Sequence, residues 1–337
     1  MLTLALRDLQ YRKWRVLVVA LLISIVITLL FIMTGLVNQF QREPFLATER
    51  IGGTRSWLVA ESSTGPLTSP SAAPLGAVES IPGAEPVLIG MASLDGMRVS
   101  LVGRGNAIDE PVVVDGNYPE AAGEILVDES GDWGVGDVVE LGGRPATVVG
   151  TTRDATILAG VPIVFSRLDH AQQVLANGQP VVTGALLERP VEPIPAGMKE
   201  LSATDVGDDG LVPLDGAIAS VGLTQALLWL MTLIIIAAVI YVTALERTRD
   251  FAVLKAVGGD DRVLGATLVI QGVLITLLAV AIGAVLQSFL APVFPMTIRV
   301  PGRAFWQLPL GGVLAAVAAG FAGARKAANT PAAEAFE

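Results

Sequence analysis

Four stretches of the chain are apolar for long enough to cross a hydrocarbon layer, and the residues between the first two are patterned quite differently. A bilayer core of roughly 30 Å takes about 20 apolar residues in a helix, because a backbone shielded from water must satisfy its own polar groups. Segments 16–37, 217–245, 264–290 and 306–324 meet that condition. The first contains no charge, the second centres on LLWLMTLIIIAAVI, and the fourth is short and carries Gly311, Gly312, Gly320 and Gly323. Across 38–215, short β-branched runs alternate with Gly-containing turns. Runs 111–115, 124–128, 137–142 and 146–150 predict strands of a mostly antiparallel sheet. One or two helices are expected, the best over 168–176, with Ser166 as its N-cap and Gly178 as its stop. The Ser-, Pro-, Gly- and Thr-rich stretch 61–74 reads as a mobile loop. The fold class that follows is an α-helical membrane protein with four transmembrane helices plus an α+β extracytoplasmic domain inserted between the first and second spans.

Composition supports the membrane reading. Apolar residues make up 52% of the chain and charged ones only 16%, a balance unusual for a single soluble core. The first apolar run is too long for a cleaved secretory signal and passes into Asn38, Gln39 and Phe40. Basic residues at Arg7, Arg12, Lys13 and Arg15, around Arg247, and at Arg325 and Lys326 all fall on one side when the four spans are threaded in order. Basic flanks prefer the cytoplasm, so both termini are expected there, in a bacterial plasma membrane. Acidic residues outnumber basic ones by more than two to one in 38–215, which marks that block as a soluble domain. A loop at 291–305 is then extracytoplasmic, and the tail 325–337 cytoplasmic.

The search for chemistry is mostly negative. Without cysteine there is no disulfide, thiolate metal site or cysteine nucleophile. No phosphate loop, HExxH or GxSxG motif occurs. The lone histidine, His170, is expected to be solvated or to cap its helix. The pairs Asp128-Glu129 and Asp208-Asp209 read as solvated surface, because adjacent residues alone do not converge on a cation. No ionisable residue lies within the spans, where one would mark an ion pathway. Ser24, Thr28, Thr34, Thr232, Gln271, Thr276 and Gln287 are expected to make helix-packing contacts. Catalytic, metal and cofactor sites are therefore not expected in this chain, nor is a nucleic-acid partner.

One stretch stands apart. ERTRDFAVLKAVGG, from Glu246 to Gly259, follows the second span and is built like a short charged helix. Phe251, Leu254 and Val257 or Gly258 share one face, while Arg247, Arg249, Asp250 and Lys255 cover the rest, and Gly258-Gly259 stops it. Composition alone would make this an ordinary cytoplasmic loop. However, ERTRDFAVLKAVGGDD resembles the loop after the second span in the FtsX-like permease superfamily of ABC transporters, which includes MacB, the lipoprotein-release permeases and DevC. Asp250 stands where those relatives carry glutamate. The tail RKAANTPAAEAF is similar to the family's ending through Arg325, Ala327, Pro331, Glu334 and Ala335. Leu2, Ala5, Leu6 and Leu9 match the family's amphipathic helix before the first span, here 1–15, and 116–165 is similar to its extracytoplasmic strand domain. Residues 50–105 show no motif that carries over.

The resemblance implies a non-hydrolysing permease subunit. Two copies, more readily identical than different, would pair in the lipid membrane. Each would offer 246–263 to a separate cytoplasmic ABC ATPase that binds the ATP and magnesium. Glu246, Arg247, Arg249, Asp250, Phe251, Leu254, Lys255, Val257 and Gly258 would form the coupling surface, with Phe251, Leu254 and Val257 as its apolar plug. Two functions stay open: export of an amphiphile, lipid, peptide or drug, with a possible extracytoplasmic adaptor, or FtsX-like signalling that activates an extracytoplasmic enzyme. The size of the 38–215 domain favours export.

Overall fold

The computed structural model describes residues 13–69, 71–105, 111–246, 261–294, 296 and 298–328. These separate into a helical unit, holding the described residues of 13–38, 219–294 and 298–328, and a β-rich unit, holding those of 39–218 together with Met296. The helix α1 (Lys13–Gly52) begins in the first and ends in the second. Its apolar part supplies the first span; its later part turns Phe40, Glu43, Ala47 and Ile51 inward, at three- and four-residue spacing, and all four are buried.

The β-rich unit follows as β1 (Ser56–Ala60), β2 (Ala73–Pro74), α2 (Leu75–Glu79), β3 (Ala84–Leu94), β4 (Met97–Arg104), β5 (Val113–Gly116), β6 (Glu124–Asp128), β7 (Val138–Leu141), β8 (Arg144–Thr152), β9 (Thr156–Ile157), β10 (Val161–Arg167), α3 (Leu168–Leu175), β11 (Val181–Val182), β12 (Gly184–Leu187), β13 (Met198–Leu201) and α4 (Ala203–Leu211). The main sheet runs β13-β1-β12-β3-β4-β10-β6-β8-β5. Most pairings are antiparallel, as the alternating runs predict. Two are parallel, β4 with β10 and β6 with β8, and hairpin signals in the sequence do not announce these. Asp95-Gly96 and Gly142-Gly143 both have positive φ at each residue, the backbone that a two-residue hairpin needs.

Because β7 pairs with β8 and also meets β3 at Leu94 and Leu141, strands β3, β4, β10, β6, β8 and β7 close into a ring. Leu88, Leu101, Ile125, Val127, Val148 and Val164 pack together with Ala171 of α3. Alternate residues on the same strands, among them Ile89, Val102, Leu126 and Phe165, pack instead with Ala47 and Ile51 of α1 and Val206 of α4. Burial on both faces explains why these strands read as unbroken apolar runs.

Two local expectations are corrected. Arg167, not Ser166, precedes α3, with extended backbone and no side-chain cap. Ser166 belongs to β10 and is fully buried. Gly178 does end the helix, at φ 79°, and its N–H donates to the Gln172 carbonyl at 2.9 Å. The 61–74 stretch is packed rather than loose: the Ser63 hydroxyl donates to the Ser69 carbonyl at 2.6 Å, Leu67 joins the core, and Thr68 bonds Asp209 of α4. The Ser63 and Thr68 hydroxyls are spent on backbone and carboxylate partners, which composition does not reveal.

The α4 helix is held close to α1. Gly207 leaves no room for a Cβ beside the Phe45 ring, and one at Gly210 would stand 2.7 Å from the Pro44 Cβ. Ser202 caps α4 and forms a reciprocal box with Asp205, whose carboxylate accepts from the Ser202 hydroxyl and N–H and is thereby held below its ordinary pKa.

A single 3₁₀ turn then leads into α5 (Asp215–Glu246), followed by α6 (Asp261–Leu290) and α7 (Ala304–Ala328). Among the described residues, four helices are long and apolar enough to cross a membrane. Of the polar side chains expected to make packing contacts, Thr28 and Thr34 meet a neighbouring helix through hydrogen bonds, while Ser24, Thr232 and Thr276 bond to carbonyls of their own helix. Thr28 donates to the Ser24 carbonyl at 2.7 Å and lies 3.4 Å from that of Gly283, while Gln225 donates to Thr34 at 2.8 Å. Small residues allow close approach: a Cβ on Gly320 would stand 2.6 Å from Val269 Cγ2.

Candidate functional site

The proposed coupling surface falls at the junction of α5 and α6. Glu246 is the last residue of α5 and Asp261 the first of α6. Arg247, Arg249, Asp250, Phe251, Leu254, Lys255, Val257 and Gly258 lie between them, outside the described residues. The structure thus places the two flanking helix ends and leaves the grouping of these side chains to the periodicity of the sequence.

The β-rich unit carries a charged cluster that sequence reasoning missed. Arg104, at the end of β4, is fully buried and donates to both oxygens of Glu85 on β3, through Nε at 3.0 Å and Nη2 at 2.7 Å. Arg55 donates to the same carboxylate through Nη1 at 2.7 Å, and through Nε at 3.0 Å to the Gly52 carbonyl at the end of α1. One carboxylate therefore ties β3, β4 and the end of α1 together, and a cation sits where the helix leaves its last carbonyls unpaired. A cleft of about 550 Å³ opens beside the cluster, lined also by Glu79, Arg167, Asp169 and Glu188. Charges of both signs line it.

Other singled-out groups have structural roles. His170 is buried, not solvated as expected, because α3 packs against β3, β4 and β10. Burial pushes its pKa down, opposed by nearby Asp169 and aided by Arg144. Asp128 is buried and accepts from the backbone N–H of Ser130 at 2.9 Å and of Ala155 at 2.7 Å. Its neighbour Glu129 pairs with Arg153 at 2.8 Å, and the Arg153 pKa is raised by that bond. The Asp128-Glu129 pair is thus a turn brace, and no grouping of potential metal ligands occurs among the described residues.

A second missed residue is Glu43, whose carboxylate is almost wholly buried on the inward face of α1. Its signal was present in the sequence. Phe40, Ala47 and Ile51 flank it at helical spacing, which puts a charge on an apolar stripe.

Comparison with known proteins agrees with the sequence motifs. A family model described as the FtsX-like permease C-terminal region matches residues 223–332. An ABC transporter permease of Mycobacterium bovis is 32% identical over 337 residues, covering 97% of this chain and 96% of the relative. One from Mycobacterium tuberculosis is 32% identical over 347 residues, covering 100% and 99%. Among solved structures, the extracellular domain of the noncanonic ABC-type transporter YknZ from Gram-positive bacteria aligns with 43% of this chain and 99% of its own, at 10% identity and a TM-score of 0.32. A similarity that distant carries no argument.

Proposed function

Because the chain belongs to the FtsX-like family of ABC transporter permeases, we propose that it works as the mechanical subunit of an exporter driven by a separate cytoplasmic ATPase. That ATPase binds the nucleotide and magnesium and docks on 246–259. Leu254, Phe251 and Val257 fill its apolar socket, and Arg247, Arg249 and Lys255 form the rim. Closing of the ATPases tilts the spans and displaces the 38–215 domain, which stands outside the bacterial plasma membrane while both termini stay in the cytoplasm. The cargo is an amphiphile, a lipid, a peptide or a drug.

One observation carries this reading. The span-bearing helix α1 continues without a break into the β-rich unit, and α5 joins α4 through a single 3₁₀ turn, whereas the four apolar segments contain no Asp, Glu, Lys, Arg or His. A device of that construction suits transmitted motion better than an ion or polar-solute path. Pairing of two permease copies is part of the same proposal and rests on the family resemblance.

The test is hydrolysis by the purified permease–ATPase complex in lipid nanodiscs. Stimulation by a candidate amphiphile supports export. Stimulation only by an extracytoplasmic hydrolase replaces export with signalling. Topology is checked with single cysteines in this cysteine-free chain: Ser130→Cys is labelled from outside and Thr248→Cys is not.

A further inference from the structure

The Glu43 carboxylate makes three short bonds to one turn. Oε1 accepts from the Thr156 hydroxyl and the Gly160 N–H, each at 2.7 Å, and Oε2 accepts from the Ala159 N–H at 2.7 Å. None of these donors is a cation. The turn is shaped for the purpose: Leu158, Ala159 and Gly160 have φ of 52°, 67° and 98°, three successive residues in the left-handed region, two of them not glycine. Such a backbone is costly and persists only where its surroundings over-determine it. Here it turns two neighbouring N–H groups toward one buried carboxylate.

The position of the turn gives the bonds mechanical weight. It connects β9 to β10, and β10 lies inside the sheet, paired with β4 and β6 as well as with β9. A pull on Glu43 therefore reaches the middle of the sheet, not an edge. Ala155, Ile157 and Ile163 beside the turn share a core with Ala47 and Ile51 of α1, so the contact is packed as well as bonded. The same turn meets a second segment that leads to spans. A Cβ on Gly160 would stand 3.0 Å from the Cβ of Met296, in the connection between α6 and α7.

We propose that Glu43 and the 156–160 turn form the latch through which movement of α1 is passed to the β-sheet. This rests on the mechanical reading above. A buried carboxylate that only braced the fold would raise stability alike in every nucleotide state. A latch has to carry a difference between states, and that difference is measurable.

The experiment is hydrogen exchange on the full-length permease in complex with its ATPase in nanodiscs, with and without trapped ATP. In the wild type, nucleotide changes exchange in 39–52 and in 156–167. Glu43→Ala keeps ATP hydrolysis and the change in 39–52, and loses the change in 156–167. Glu43→Gln retains the packing but sets an amide N–H₂ against donors, so the 156–167 change is reduced. This variant carries the test if alanine prevents folding. Survival of the full 156–167 change in either variant overturns the latch and leaves the mechanical reading standing. Absence of any nucleotide-dependent change in the wild type overturns both.

Discussion

In the helical unit a buried hydroxyl bonds one turn back along its own helix: Thr28 to Ser24, Thr232 to Leu228, Thr276 to Gly272. In the β-rich unit carboxylates reach across the fold, the buried Glu43 to a turn more than a hundred residues away and the partly buried Glu85 to Arg104 on β4 and to Arg55 just after α1. The contrast follows from the solvents proposed for the two units. In lipid each helix must satisfy its polar groups alone before it associates, and small residues and dispersion then hold the helices together. In water a strand domain gains specificity from charged cross-braces, because a broken one strands a buried charge. Helices satisfied mainly within themselves have little hydrogen bonding to lose on sliding, the Gln225–Thr34 bond being an exception. A cross-braced sheet moves as a body.

Substitutions sharpen that comparison, and the largest effect is expected in the β-rich unit. Arg104→Ala leaves Glu85 without its bidentate partner and should destabilise the unit by about 3 kcal/mol. Denaturant unfolding of the full chain in detergent, followed by fluorescence of the buried Trp57, measures it. Next comes Gly320→Val, which forces α7 away from Val269 and should cost about 1–3 kcal/mol of helix association, read from thermal stability in the same detergent. Thr28→Val is expected to cost only about 0.6 kcal/mol, since its main bond is to its own helix. Were Thr28→Val as damaging as Arg104→Ala, the contrast between the units would collapse.

The smallest effect concerns pH. His170 has its folded pKa below the ordinary imidazole value of about 6.5, so the unfolded chain binds the proton more readily. Its contribution to stability is complete above that value and is lost as pH falls below it. The melting temperature of the β-rich unit should therefore drop less steeply between pH 7 and pH 5.5 in His170→Gln than in the wild type. Identical profiles would show that burial of the imidazole does not matter.

How much of this was legible in the sequence differs between the units for the same reason. Hydropathy located all four membrane helices because, in lipid, length and apolarity are the physical requirement. It did not show that α1 runs on to Gly52, since Arg42, Glu43, Glu49 and Arg50 interrupt the apolar pattern there. Short β-branched runs located strands β5 to β8, while the parallel pairings and the ring closed through Leu94 and Leu141 depend on partners far apart in sequence. The Arg55–Glu85–Arg104 cluster was invisible because charged residues read by default as solvated. Glu43 was readable from its apolar neighbours at helical spacing. The coupling surface came from the motif at 246–259 alone.

The central claim is that this permease takes its energy from a separate ATPase through the charged segment 246–259, and Leu254→Asp tests it most directly. The measurement is ATP hydrolysis by the co-purified complex, alongside membrane insertion of the variant. The account predicts normal insertion with coupled hydrolysis abolished. A rate equal to that of the wild type, in a complex that still co-purifies, would contradict it.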